Sequence, residues 1–149
     1  MRHSIFGRRL GRDTKARKAL LANMASSLLV NRSFVTTLTK AKFVRPYVEK
    51  LVTIAKKNNL HSQRKLASLI TRQAFAKLTR EIAPGFAKRE GGYTRIIKLA
   101  QRRGDNAELA RLEFLPWEKI QAKETEVKKA KQKTKETIKG EEQNEKHQA

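Results

Sequence analysis

The chain contains no cysteine. Disulfides and zinc–thiolate centres are therefore excluded, and the composition fits a reducing compartment. Proline occurs three times and tryptophan once. Acidic residues are scarce, with 14 Asp and Glu against 35 Lys and Arg in 149 residues. No apolar run is long enough to cross a bilayer, so no membrane partner is expected. No apolar segment follows the first charges, so the opening residues do not read as a secretory signal. They are Arg-rich and acid-poor, as a mitochondrial transit peptide is, but Gly7 and Gly11 would break the helix such a peptide needs.

Catalytic chemistry is also missing. His3, His61 and His147 are far apart, and no HExxH or Cys/His spacing is present to hold a metal. The acids before Glu118 are Asp13, Glu49, Glu81, Glu90, Asp105, Glu108 and Glu113. None forms a pair assignable to acid–base work, and Asp13 and Asp105 read as a helix cap and a turn residue. Gly91-Gly92 is not followed by the Gly-Lys-Ser/Thr of a phosphate-cradling loop, so it reads as a backbone requirement for a structural turn. No enzyme, no cofactor and no small-molecule substrate is expected.

Positive charge is what the chain has in excess, at a net +21. Up to Trp117 there are 26 Lys and Arg against 7 Asp and Glu, a net +19; from Glu118 onward 9 Lys face 7 Glu, a net +2. The excess sits on the part with enough apolar residues to fold. Such a density repels itself in a compact state and calls for a bound polyanion, the signature of a nucleic-acid binder.

Three segments follow from composition: an arm over 1–12, a folded body over 13–117 and a Lys/Glu-rich tail over 118–149, helical or disordered. The arm carries Arg2, Arg8, Arg9 and Arg12, spaced by small residues, and suits extended contact with phosphates that guanidinium groups grip bidentately. His3 can stack on a splayed base; Phe6 can do the same or pack locally. Asp13 or Thr14 caps a first helix to Asn31, with Leu20, Leu21, Met24, Ala25 and Leu28 as its apolar stripe. Lys15, Arg17 and Lys18 fill its first turn, where the helix macrodipole disfavours cations and an external anion would relieve them.

A short strand is expected at 33–38 from its β-branched and aromatic content. A helix capped by Thr39 follows, with a kink or late start at Pro46. Third and fourth helices are expected from Ser62 and after Thr71, the last stopped by Pro84-Gly85, with Arg64 and Lys65 off their apolar stripes. A central strand at 93–100 and its hairpin partner at 108–115 complete an α+β body: helix, strand, three helices, two strands. The expected architecture is two-layer, a small three-stranded mixed sheet covered by helices, with the first strand's place left open. Arg89, Arg95, Arg102 and Arg103 gather around the hairpin as a second basic set.

No zinc finger, basic zipper or helix-turn-helix pattern is visible. Cations spread over arm, helices and hairpin suit folded RNA gripped from several sides. Composition leaves a general double-stranded nucleic-acid packaging protein open as the alternative.

Specific residues narrow the choice. Met1-Arg2-His3, Gly7-Arg8, Arg17-Lys18-Ala19, Asn23-Met24-Ala25, Thr36-Thr37-Leu38, Lys40-Ala41-Lys42, Arg45-Pro46, Gly91-Gly92-Tyr93-Thr94-Arg95-Ile96 and Arg102-Arg103-Gly104-Asp105 follow one another in order. From Met1 to about Leu115 the chain resembles the bacterial-type large-subunit ribosomal protein seventeen family. Ser4-Ile5-Phe6 departs from the family's usual basic pair, and Ala16 stands where many members have His. The resemblance implies a non-catalytic structural constituent of the large ribosomal subunit. It implies binding to large-subunit rRNA near the peptide exit tunnel, with neighbouring ribosomal proteins as partners and no obligate homo-oligomer. It implies a bacterial cytoplasm, with an organellar ribosome left open.

Overall fold

A computed structural model describes residues 9–117. Arg2, His3, Phe6 and Arg8 of the arm, and the tail from Glu118, lie outside the described residues.

Helix α1 spans Thr14–Asn31. Asp13 caps it, its carboxylate accepting the Ala16 N–H at 2.9 Å, which satisfies one of the donors a helix start leaves orphaned. The helix ends at Arg32, in the left-handed region at φ 66°, whose N–H donates to the Leu28 carbonyl at 2.8 Å. Glycine is the usual residue there. Arg32 is held instead by its side chain, which reaches Glu81 at 3.1 Å and lies 5.1 Å from the Trp117 ring centre.

Strand β1, Ser33–Thr37, leads directly into α2, Leu38–Lys56. This helix starts two residues earlier than the sequence implies and is continuous through Pro46. Pro46 is tolerated because it faces solvent, where the Lys42 carbonyl it leaves without a donor is open to water. The inner face of α2 is fully apolar: Ala41, Val44, Val48, Leu51, Val52 and Ala55 are buried. Helix α3, Leu60–Ala67, is capped by Asn59, which accepts the Ser62 N–H at 2.7 Å.

Helix α4, Arg72–Lys77, widens into a π-helical turn at Leu78–Ile82 and closes with α5, Ala83–Gly85. The widening has a cause in the sequence. Pro84 has no N–H to continue the ladder and its ring crowds the preceding turn. The ladder relaxes to an i to i−5 bond, from the Ala83 N–H to the Leu78 carbonyl.

Strands β2, Thr94–Lys98, and β3, Leu109–Phe114, form the expected hairpin. The sheet order is β1-β3-β2, with both pairings antiparallel. Two expectations are corrected here. The sheet is antiparallel throughout, not mixed, and its central strand is β3, not the one at 93–100. The alternation explains this. Ala110, Leu112 and Phe114 are all buried, whereas only Thr94 is buried in β2. The strand with the complete apolar face takes the place that is paired on both edges.

Helix α2 packs against all three strands on one face of the sheet, with α1 beside it. Leu28, Leu29, Leu51, Leu78, Ile82, Tyr93 and Leu112 are among the fully buried side chains of the core. Each contributes roughly 1.5–3 kcal/mol relative to exposure, before chain entropy is counted. At one end Phe86 packs against Tyr93, Phe114 and Trp117 with ring centres 5.2, 6.1 and 5.4 Å away.

Candidate nucleic-acid interface

The basic residues divide into those the fold uses and those it leaves to solvent. Several are held by internal acceptors. Lys77 donates to the Val30 carbonyl at 2.7 Å, near the carboxyl end of α1 where a cation is favoured. Lys56 donates to the Arg89 carbonyl at 2.6 Å and lies 5.6 Å from the Tyr93 ring centre. Arg45 reaches Glu49 at 3.2 Å, and the same carboxylate oxygen accepts from the buried Thr94 hydroxyl at 3.1 Å, fastening β2 to α2.

Three residues expected at the interface belong to this internally bonded group. Arg89 donates to the Gly91 carbonyl at 2.9 Å, bracing the turn that enters β2. Gly92 follows at φ 62°, a left-handed conformation suited to glycine. Gly91 is exposed and has open space around it. Arg95 pairs with Glu113, its cross-strand neighbour, at 2.5 Å. Arg102 forks onto Asp105 at 3.0 and 2.5 Å. The Arg102 hydrogen bond and that from the Ala107 N–H lower the Asp105 pKa from 3.8 to about 2. The same pairing with Asp105 raises that of Arg102. These guanidinium groups are nonetheless exposed and keep further donors free.

Arg9, Arg12, Lys15, Arg17, Lys18, Arg64, Lys65 and Arg103 form no ion pair among the described residues. Arg9, Arg12, Lys15, Arg17 and Lys18 follow one another along a turn and the first turns of α1. Arg9 and Arg12 flank a tight turn through Leu10 and Gly11, both at positive φ, closed by Arg12 N–H to Arg9 carbonyl at 3.1 Å. That turn delivers the chain to Asp13 and the first turn of α1, which holds no acidic residue.

The first buried residue of α1 is Ala25. Thr14–Met24, eleven residues, contain no fully buried side chain. At ~1.5 Å per residue this half of the helix is about 16 Å long. Arg64 and Lys65 lie apart from this group, exposed in the last turn of α3, where the macrodipole favours cations. Arg103 is exposed in the loop between β2 and β3.

Two further cations, Lys40 and Lys42, join the surface; they stand in the Lys40-Ala41-Lys42 motif, though nothing in it marked them for the interface. Lys40 and Lys42 lie in the first turns of α2, another helix start without acid. Arg111 is exposed on the outer face of β3, where the alternation Leu109-Arg111-Glu113 would have placed it.

Catalytic geometry is not assembled among the described residues. No group of three or more His, Asp or Glu is placed to hold a metal ion. An open pocket of about 260 Å³ between α2 and α5 is lined by Ala55, Lys56, Asn58, Thr79, Ala83, Pro84 and Ala87. Its one ionisable group, Lys56, is occupied by the Arg89 carbonyl.

The fold and its surface thus define a class: a small, strongly basic α+β protein with cations directed outward at a helix start. Comparison with known proteins makes the class particular. Residues 20–115 match the family model described as Ribosomal protein L17. The "Large ribosomal subunit protein bL17" of Allorhizobium ampelinum (strain S4) is 51% identical over 116 residues, covering 77% of this chain and 82% of its own length. Its counterpart in Solibacter usitatus is 42% identical over 136 residues, 91% of each chain. That of Acidobacterium capsulatum is 48% identical over 116 residues, 77% of this chain and 72% of its own. The chain belongs to the ribosomal protein L17 family, whose members are structural proteins rather than enzymes.

Proposed function

We propose that the arm and the amino-terminal half of α1 dock the protein onto large-subunit rRNA, close to the peptide exit tunnel. Family membership supplies the broader setting, a structural constituent of the large ribosomal subunit in the cytoplasm. The observation that carries the finer reading is the start of α1. Lys15, Arg17 and Lys18 stand there without an acidic partner, at the start of a helix whose first fully buried residue is Ala25. A helix start exposes unsatisfied N–H groups and a partial positive charge, and phosphate satisfies both. Arg9 and Arg12 extend the same surface. Arg2, His3 and Arg8 would continue it along the backbone, and Arg64, Lys65, Arg89, Arg102 and Arg103 would supply further phosphate contacts around the body.

The test has two parts. Large subunits are sedimented through a sucrose gradient after a high-salt wash, and the chain is expected to stay with them. The full chain is then titrated with an rRNA fragment over a range of salt concentrations. Neutralising Lys15 or Arg17 should lower the slope of log affinity against log salt by about 0.7–0.9 for each phosphate that the side chain had paired with. Slopes unchanged in both variants and in an arm deletion would refute this docking surface. Equal affinity for DNA and RNA duplexes would instead favour a general nucleic-acid packaging protein.

A further inference from the structure

One face of the sheet is covered by α2; on the other, Ser33, Val35, Arg95, Ile97, Leu99 and Arg111 are exposed. The register arranges its residues in three rows. Val35, Arg111 and Ile97 lie side by side, as do Ser33, Glu113 and Arg95. Leu109 and Leu99 form the third row with Thr37. Val35 is 50% exposed and Ile97 and Leu99 are each 36% exposed, so three of the four large exposed hydrophobics among the described residues lie here.

This face differs in chemistry from the start of α1. It carries two cations, and one of them, Arg95, is tied to Glu113. It has no aromatic side chain, so it cannot stack bases as RNA-reading sheets do. Its centre is Arg111, with Val35 on one side and Ile97 on the other and no carboxylate partner among the described residues. A guanidinium flanked by aliphatic groups matches a carboxylate set among apolar side chains, which is a protein surface and not a phosphate backbone.

Size excludes a free dimer. Three strands ~4.8 Å apart and three rows ~6.8 Å apart give a patch of roughly 200–300 Å². A stable interface needs about 800 Å² from each partner. So small a contact holds only when both partners are already fixed nearby, where effective concentration replaces area.

We infer that the open face of the β1-β3-β2 sheet seats a neighbouring protein of the same particle, through apolar side chains around one carboxylate that pairs with Arg111. The inference rests on the ribosomal reading above. The test places the photo-cross-linker p-benzoylphenylalanine at position 35 or 97 of the full chain in cells. Large subunits are purified and irradiated, and the adducts are identified by mass spectrometry. The expected product is a single protein adduct whose linked peptide contains Asp or Glu. Arg111→Glu is expected to lower its yield at least about tenfold, as reversing an interfacial charge does. Adducts to rRNA, to a second copy, or to residues 118–149 of the same chain would overturn the inference and leave the ribosomal reading intact. So would the absence of any adduct in subunits that contain the chain. Absence of the chain from the subunits would overturn both.

Discussion

Replacing Gly85 with alanine sets two effects of opposite sign against each other. Gly85 is the last residue of α5, and it has no positive φ to defend. Helix propensity alone predicts that alanine stabilises it by about 0.5–1 kcal/mol. Packing predicts the reverse. A Cβ at Gly85 would stand 2.8 Å from Trp117 Cγ and 3.0 Å from Nε1, closer than carbon atoms approach. The indole has to leave. It would give up its packing against Phe86, at 5.4 Å, and Phe114, at 5.9 Å, and the Arg32 guanidinium 5.1 Å away. Two aromatic pairs at about 0.5–1.5 kcal/mol each, with a cation–π interaction of about 0.5–1 kcal/mol, make a loss of about 1.5–4 kcal/mol. Set against the propensity gain, the net expectation is destabilisation by about 0.5–3.5 kcal/mol, or a Tm lowered by roughly 2 °C or more for a body of this size. Trp117 is the single tryptophan, so its fluorescence reports the event directly. Emission should shift to the red and thermal unfolding should move down together. In a Trp117→Ala background the same Gly85→Ala change should be neutral or stabilising. Unshifted emission with an unchanged or higher Tm in the Trp117-containing protein would refute the packing account.

Two shorter predictions concern the turns. Gly92→Val should lower stability by about 1–2 kcal/mol through backbone strain alone, since the nearest atom to a Cβ there is an Arg89 guanidinium nitrogen at 3.9 Å; Gly91→Val, with open space around it, should cost less, and equal costs by thermal melting would contradict the turn assignment. Because the folded Asp105 pKa is lowered to about 2 from 3.8, its contribution to the Arg102 loop is present above pH ~4 and lost as pH falls through 2. A carboxyl titration by NMR should find that low midpoint, and Arg102→Ala should return it towards 3.8; an ordinary midpoint in the unmodified protein would show that the fork does not form in solution.

Elements with a local cause were legible in the sequence. Asp13 announces α1, and Ser33–Thr37 is too β-branched to be helix. The hairpin follows from two alternating runs separated by turn formers. The features that pattern does not reach have non-local causes. The central position of β3 depends on its pairing with β1, and the 71 residues between Thr37 and its partner Leu109 are invisible to a pattern of period two. Pro46 and Pro84 look alike as helix breakers, yet one is absorbed at an exposed site and the other opens a π-helical turn. Only the surrounding burial separates them. The basic interface was legible as composition, but not as a division of labour. Nothing in the sequence marks Arg89 as the brace of its own turn, because that hydrogen bond depends on the path the backbone takes through Gly91 and Gly92.

The acids make that division clearer than the cations do. Asp13 caps α1, Glu49 fastens β2 to α2, Glu81 holds the left-handed Arg32, Asp105 shapes a loop, and Glu113 pins Arg95. They lie where a segment must be positioned, and the first turn of α1 has none. A sequence selected for its free stability would place an acid at Lys15, where the macrodipole favours one. Lys15→Glu should therefore stabilise the isolated protein by about 0.5–1 kcal/mol while weakening its hold on rRNA and flattening the salt dependence. Both effects can be read on one preparation, by thermal melting and by filter binding across salt concentrations. If the substitution stabilises the protein and leaves affinity unchanged, the start of α1 is not where rRNA is held. If it destabilises the protein, these lysines serve the fold in a way the geometry does not contain.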